Sequence, residues 1–139
     1  MSELSALYTI DGANEGCEVK ILHPGTGEET GLVIHVLGED SDEFQRIKRA
    51  QQKKRTDKFS RGGFRNPTPT PAEMENDNIE LLARATKSWS YKGSASIPGP
   101  KGEMLDCKFE NVVLFYTASP DARRQIDIAV GDRANFIKA

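Results

Sequence analysis

The residues that could do chemistry in this chain are few and scattered. It has two histidines, His23 in a turn-like stretch and His35 inside an apolar run, and neither has a cluster of cysteines or carboxylates near it in sequence. A metal-binding or catalytic imidazole needs such partners, so a solvated or packed imidazole is the expected state of both. Cys17 and Cys107 lie far apart without metal-ligand spacing, and we expect two buried thiols rather than a disulfide.

Sequence patterns of known catalytic sites are absent as well. The chain has no GxSxG, HExxH or CxxC motif, and the glycines around position 27 lack the Lys-Ser/Thr that completes a phosphate loop. Two carboxylate pairs, Asp40 with Asp42 and Asp127 with Asp132, are explained by helix capping and by a solvated helix face. The sequence therefore predicts a protein that is not an enzyme and that binds no metal or cofactor.

Charge is distributed unevenly along the chain. The formal net charge is −2, yet nine basic residues and a single acid, Asp57, lie between Phe44 and Arg65. The basic residues are Arg46, Lys48, Arg49, Lys53, Lys54, Arg55, Lys58, Arg61 and Arg65. Such an asymmetry indicates a charged partner or an exposed face.

Two kinds of partner fit this basic stretch. Nucleic acid would suit a basic helix followed by Arg-Gly-Gly, with Phe59 and Phe64 as stacking groups. An acidic protein is favoured, because the front of the chain lacks an RNA-binding signature and the sequence pI is 5.7. The residues expected to contact this partner are Arg46, Arg49, Lys53 and Lys54. Phe44 and Ile47 are expected to belong to the core.

The elements that must position this stretch begin with β-structure. Residues 17–22 alternate in polarity, residues 23–28 have turn composition, and residues 32–37 are apolar and β-branched. This pattern predicts an antiparallel hairpin. Residues 7–10 are a candidate third strand.

A basic helix is expected next. Asp40 and Glu43 form a capping box at its start, with Ser41 or Asp42 as alternative caps. After Ala50 every face of the helix is polar, so its second half is expected to project into water or onto a partner.

A linker and a second helix follow. Residues 60–71 contain two glycines and three alternating prolines, which predicts a flexible linker. Thr70 and Glu73 form another capping box, with Pro71 at the first helical position. One side of this helix is expected to carry Met74, Leu81, Leu82, Ala85 and the only tryptophan, Trp89, as a core anchor.

The C-terminal third is expected to close the core. Residues 93–105 predict a loop, and residues 110–116 are ambiguous because their β-branched and aromatic content favours a strand. An amphipathic helix is expected from Ser119, with Pro120 at its first helical position. Its apolar positions are Ala122, Ile126, Ala129, Val130 and Ile137.

These patterns predict an α+β protein with a small N-terminal antiparallel β-hairpin or sheet, followed by a mainly helical bundle of about four helices. One domain is expected over residues 1–139, β-rich at 7–37 and helical at 40–60 and 71–137, with the linker at 60–71. No apolar run approaches the roughly 20 residues of a membrane helix, and the N-terminus has no signal pattern. We therefore expect a cytosolic protein without membrane contact.

Three blocks of this sequence resemble the tail assembly chaperones of long-tailed bacteriophages and prophages. The first is Gly38 to Phe44, GEDSDEF, which leads into the basic helix, and the second is Leu81 to Trp89, LLARATKSW. The third comprises Glu110-Asn111, Tyr116, Arg124-Gln125-Ile126 and Gly131-Asp132-Arg133-Ala134-Asn135-Phe136. The order and spacing of the blocks match this family over roughly residues 17–137.

The resemblance implies a role without catalysis. Such chaperones bind the tape measure protein, keep that long helical chain soluble, and help to recruit tail tube subunits. They act in the host cytoplasm and are absent from the finished virion, and the resemblance leaves a homo-oligomer open. In many relatives a ribosomal frameshift near the end of the gene yields a longer form. The resemblance also favours helix over strand for residues 110–116.

Two other functions stay open at this point. One is a structural tail protein, such as a tube or completion subunit, in which the β-hairpin carries assembly. The other, less expected, is a small nucleic-acid-binding regulator. The chain departs from the family pattern in its Arg-Gly-Gly-Phe and Pro-Thr segment, whose role the resemblance does not address.

Overall fold

A computed structural model of the chain describes Leu4, residues 7–62 and residues 70–137, with backbone only at residues 58–62. Its elements are helix α1 (Ile10–Glu15), strands β1 (Cys17–Leu22) and β2 (Glu29–Val36), helices α2 (Asp42–Gly62) and α3 (Pro71–Ala85), strands β3 (Thr86–Tyr91), β4 (Ile97–Pro98) and β5 (Met104–Leu105), helices α4 (Phe109–Ala118) and α5 (Pro120–Gly131), and a 3-10 helix (Arg133–Phe136). The predicted α+β class is confirmed.

Strands β1, β2 and β3 form one antiparallel sheet with β2 at its centre. The predicted hairpin is present, since Cys17 pairs with Val36 and Leu22 pairs with Glu29. The predicted third strand at residues 7–10 was wrong, because Ile10 already begins α1. The third strand is β3, which the chain reaches only after two helices.

Trp89 lies in β3 rather than on α3, which corrects the apolar side predicted for that helix. The helix ends at Ala85, and the following sequence, TKSWSY, favours extended chain because β-branched and aromatic residues fit a pleated surface. Trp89 is a core anchor as expected: it is 3% exposed, pairs with Ile34, and meets the Phe115 ring edge-on with 5.7 Å between centroids. Met74 was also placed wrongly, since it is 56% exposed.

The core lies between one face of the sheet and helices α3, α4 and α5. Its largest fully buried side chains are Tyr116, Ile34, Leu82, Ile126, Val36, Val112 and Val130. The Tyr116 hydroxyl lies 2.6 Å from Thr86 Oγ1, which donates its own hydrogen to the Leu82 carbonyl at 2.9 Å. The tyrosine must therefore be the donor in this pair. Burial raises the pKa of Tyr116 well above its usual value.

The C-terminal elements differ in part from the sequence prediction. Residues 109–118 are helical, in agreement with the resemblance rather than with β-propensity, and the predicted loop at 93–105 contains the short β4–β5 pair. The closing helix stops at Gly131, and a 3-10 turn then buries Phe136 and leaves Ile137 47% exposed. Gly12 and Gly38 make room for this turn, since a Cβ on either would crowd Phe136.

The predicted cap at Thr70 is confirmed. Thr70 Oγ1 accepts from the Glu73 amide and lies 3.2 Å from the Glu73 carboxylate. Upstream of it, α2 runs to Gly62, so the first three residues of the segment predicted as a linker are helical. Residues 63–69, which hold Phe64 and most of the Pro-Thr stretch, lie outside the described residues, as does the Phe59 side chain.

Candidate functional site

Three residues of catalytic type stand side by side on the sheet. Glu18, His35 and Ser88 are direct neighbours across β1, β2 and β3. A nucleophilic serine needs a hydrogen bond to the imidazole that activates it. His35 Nε2 instead lies 2.8 Å from the Glu15 carbonyl oxygen, and within the described ranges no hydrogen bond joins the three side chains. The row therefore contains no activated nucleophile.

The other residues of chemical interest have local roles. His23 Nδ1 accepts hydrogen bonds from the amides of Gly25 and Thr26, at 3.0 and 3.2 Å, and so shapes the β1–β2 turn. Cys17 and Cys107 are free thiols that are half-buried, and burial raises the pKa of both. Among the described residues, no three histidine, cysteine or carboxylate side chains are grouped so as to hold a metal ion.

The start of α2 is fixed by more contacts than a single capping box. Ser41, fully buried, is the cap, with its Oγ accepting from the Phe44 amide at 3.1 Å. Asp40, expected as the cap, is taken up by other partners: Arg133 Nε and Nη2 donate to its two oxygens at 2.7 and 3.0 Å, and Thr9 Oγ1 donates at 2.5 Å. The Arg133 guanidinium, and then the Thr9 hydroxyl, hold the pKa of Asp40 below its usual value.

The side of α2 that faces the protein is apolar only in its first turns. Phe44 and Ile47 are buried, as predicted. The second half does not simply project, which corrects the prediction for the helix after Ala50: Gln51 is buried and its Nε2 donates to the Asp77 carbonyl at 2.8 Å and to Glu80 Oε1 at 3.2 Å. We call this contact between α2 and α3 the polar seam.

Arg55 extends the polar seam by one turn, with its Nη2 lying 2.6 Å from Asp77 Oδ2. Lys54, one of the four predicted partner-binding residues, stands beside it and lines a cleft of 230 Å³ between α2 and α3, together with Glu73, Asn76 and Asp77. The structure therefore separates Lys54 from the surface on which the other three predicted residues lie.

Those three residues share the opposite side of α2. A helix turns by about 100° per residue, so positions 42, 46, 49, 53 and 57 fall on one side, roughly opposite the buried positions 44, 47 and 51. We call this side the outer face. Its residues are Asp42, Arg46, Arg49, Lys53 and Asp57, all exposed.

The cations of the outer face differ in how far they are neutralised. Arg46 is paired with Glu43, with Nη2 and Oε1 2.7 Å apart, and this arginine holds the pKa of Glu43 below its usual value. Arg49 and Lys53 have no ion pair among the residues that the structure describes. Exposed cations that are not engaged in an ion pair are suited to binding an anionic partner, because their charge is not already neutralised by a neighbouring side chain.

Sequence reasoning missed a second surface, an apolar groove of 520 Å³. It lies between the β1–β2 hairpin, β4 and the junction of α4 and α5, and Leu22, Tyr91 and Phe115 are among its lining residues. At one side the Gln125 amide pairs with both the N–H and the C=O of Leu22, at 2.8 and 2.9 Å, as a neighbouring strand would. The adjacent apolar residues Ile21 and Leu22 were the only sequence signal, and two residues are too few to reveal a groove.

No family model, curated protein or solved structure matches this chain. Over residues 7–62 and 70–137, no helix combines the length and the apolar character needed to cross a membrane. The outer face of α2 and the apolar groove must therefore be interpreted from their own geometry and from the sequence blocks.

Proposed function

We propose that this protein is a tail assembly chaperone of a long-tailed bacteriophage or prophage, acting in the host cytoplasm. In this role it binds the tape measure protein, keeps that long helical chain soluble, and helps to recruit tail tube subunits, without catalysis. The proposal starts from the three sequence blocks that resemble this family.

Residues of the first and third blocks are in contact in the fold. The first block holds Gly38 and Asp40, and the third holds Arg133 and Phe136, more than ninety positions later in the sequence. Arg133 binds Asp40, and the Phe136 ring fits where Gly38 has no side chain. The first and third blocks therefore pack together next to the start of α2.

The observation that carries the binding role is the outer face of α2. This helix spans 21 residues, yet its described buried side chains are only Phe44, Ile47 and Gln51. A helix held by so few buried side chains has most of its surface available for a partner. The exposed Arg49 and Lys53 then select for negative charge in that partner.

The proposal is tested by co-expressing the chain with the tape measure protein of its own gene cluster. We expect the two to co-purify at low salt, and we expect less tape measure protein in the soluble fraction when the chain is omitted. Replacing Arg46, Arg49, Lys53 and Lys54 by Glu should abolish co-purification while the circular dichroism spectrum stays the same. Retained binding by this variant would exclude the basic residues of α2 as the contact.

Mass spectrometry of purified particles separates the main alternative. A structural tail protein is found in finished particles, whereas an assembly chaperone is not. Detection of this chain at stoichiometric amounts would therefore overturn the proposal. A gel-shift assay with duplex DNA tests the regulator alternative, whose affinity should fall steeply as salt is raised.

A further inference from the structure

The order of charges along the outer face narrows the kind of partner it can bind. From its N-terminal end the face reads Asp42, Arg46, Arg49, Lys53, Asp57, so that three cations are bracketed by an acid at each end. Asp42 is held in place by Asn14, whose Nδ2 donates to it at 3.2 Å and whose Oδ1 accepts from its amide at 2.8 Å. The basic patch is therefore short and has defined ends.

A nucleic acid backbone does not fit this order of charges. Its phosphates form a continuous row of negative charge, and a helix lying along that row would place both terminal acids against phosphates. A protein helix can instead carry carboxylates opposite the three cations and none opposite the two terminal acids. The first and last of the three cations are seven positions apart, which is about 10 Å along the helix, and a second helix has the same rise per residue. Carboxylates spaced three and four residues apart on a partner helix therefore reach all three cations.

A small residue beside the cations, Ala50, allows a partner helix to approach α2 closely. Ala50 is exposed and lies on the same side of α2 as Arg46 and Lys53. Its side chain is a single methyl group, so a partner backbone can approach α2 at this point while the longer cationic side chains reach around it.

From these observations we infer that the outer face of α2 binds an acidic helical segment of a partner protein, one that carries carboxylates at positions i, i+3 and i+7. The inference rests on the proposed function, because it names the chemistry of the client segment at the same surface. Arg49 and Lys53 make the principal contacts, since Arg46 already shares its charge with Glu43. Lys54 belongs to the α2–α3 cleft and takes no part.

The test uses the full chain labelled with ¹⁵N and two synthetic alanine-based helical peptides with the same composition. One peptide has glutamates at i, i+3 and i+7, and the other has the same number spread around the helix. We expect the aligned peptide to bind about tenfold more tightly at low salt, with shifted amide signals at residues 46–53, and to lose affinity as salt screens the charges. Equal affinities, or shifts confined to the apolar groove, would overturn the inference.

Two double variants provide the matched comparison. Arg49→Glu with Lys53→Glu changes the outer face, and Lys48→Glu with Lys54→Glu makes the same change in net charge elsewhere on the same helix. The first should weaken binding of the aligned peptide about tenfold, and the second less than about twofold. Equal weakening by both would mean that only total charge matters. Stronger binding of a 20-nucleotide single-stranded DNA than of the peptide, lost in the first variant, would assign the face to nucleic acid instead.

Co-purification with the tape measure protein distinguishes failure of this inference from failure of the proposed function. If the wild-type chain and the Arg49→Glu, Lys53→Glu variant both bind the tape measure protein equally, the proposed function stands and the inference is wrong. If the wild-type chain binds the aligned peptide but not the tape measure protein, the binding chemistry stands and the proposed function is wrong.

Discussion

Helices α2 and α3 are neighbours in sequence and in space, yet they are held in opposite ways. Helix α3 has 15 residues and buries Ile79, Leu82, Ala83 and Ala85. Helix α2 is longer, yet its described buried apolar side chains are only Phe44 and Ile47, near its start. Its other contacts with the chain are polar and include the Asp42–Asn14 hydrogen bonds and the polar seam. Helix α3 is therefore held by apolar burial, whereas most of the surface of α2 is exposed to solvent.

The difference separates the residues that stabilise the fold from the exposed surface that the proposed partner would use. Apolar burial contributes most to folding, whereas exposed charges contribute little to it. A helix that binds a partner must keep part of its surface out of the core, and α2 does so by replacing apolar contacts with hydrogen bonds to α3. If this contrast is correct, substitutions on α3 should lower the free energy of unfolding more than substitutions on α2.

The largest change is expected on α3. Leu82→Ala removes a side chain with no exposed surface and should lower the free energy of unfolding by about 2–5 kcal/mol, because it leaves a cavity in the core. Met74→Ala on the same helix is the control and should change it by less than about 0.5 kcal/mol, since Met74 is exposed. Urea unfolding followed by circular dichroism measures both. Similar losses would mean that α3 is not anchored at Leu82.

A smaller loss is expected at the buried hydroxyl pair of Tyr116 and Thr86. Tyr116→Phe removes the donor to Thr86 Oγ1 and should cost about 1–2 kcal/mol. Tyr91→Phe, at a half-buried tyrosine for which the described residues offer no hydroxyl partner, should be close to neutral. Thermal unfolding of the two variants side by side checks this, and a neutral Tyr116→Phe would show that the hydroxyl pair adds nothing to the core.

The sequence predicted these two helices unequally. The start of α3 followed from Thr70, Pro71 and Glu73, because a capping box depends on side chains only three residues apart. The end of α3 was missed, because Trp89 also falls at helical spacing from Ala85 and so extends the apolar side of the helix in the sequence pattern. Only the pairing of Trp89 with Ile34, far away in sequence, makes that segment a strand.

The candidate site was also predicted only in part from the sequence. The basic composition of α2 and the buried Phe44 and Ile47 followed from helical periodicity. The separation of Lys54 from the outer face did not, because it depends on where α3 packs, and α3 is positioned by residues after Thr70. The partners of Asp40 were also hidden, since Arg133 and Thr9 come from opposite ends of the chain.

The polar seam should contribute less to stability than the core does. Gln51→Ala removes hydrogen bonds to Asp77 and Glu80 and should lower the free energy of unfolding by about 1 kcal/mol. Gln52→Ala, one residue along and exposed, should change it by less than about 0.5 kcal/mol. If the two variants unfold at the same urea concentration, the Gln51 hydrogen bonds do not contribute to holding α2 against α3.

The contact at the base of α2 should depend on pH. Because folding lowers the pKa of Asp40 from its ordinary 3.8, the carboxylate stabilises the fold above that pH and loses this effect as the pH falls through the lower folded value. The difference in urea midpoint between the wild-type chain and Asp40→Asn should therefore be largest near neutral pH and shrink below about pH 4. Arg133→Gln should show the same trend. A difference that stays constant down to pH 2 would contradict the pairing.

The smallest change in stability is expected where binding is expected to change most. Arg49→Glu with Lys53→Glu should alter the free energy of unfolding by less than about 0.5 kcal/mol, because both side chains are exposed and have no ion pair to lose within the described part of the chain. Urea unfolding at 0.15 M salt measures this, with Lys48→Glu and Lys54→Glu as the matched control. A clear loss in the first variant alone would mean that the outer face packs against the protein itself. Unchanged stability together with lost peptide binding would instead mean that this side of α2 is kept for a partner.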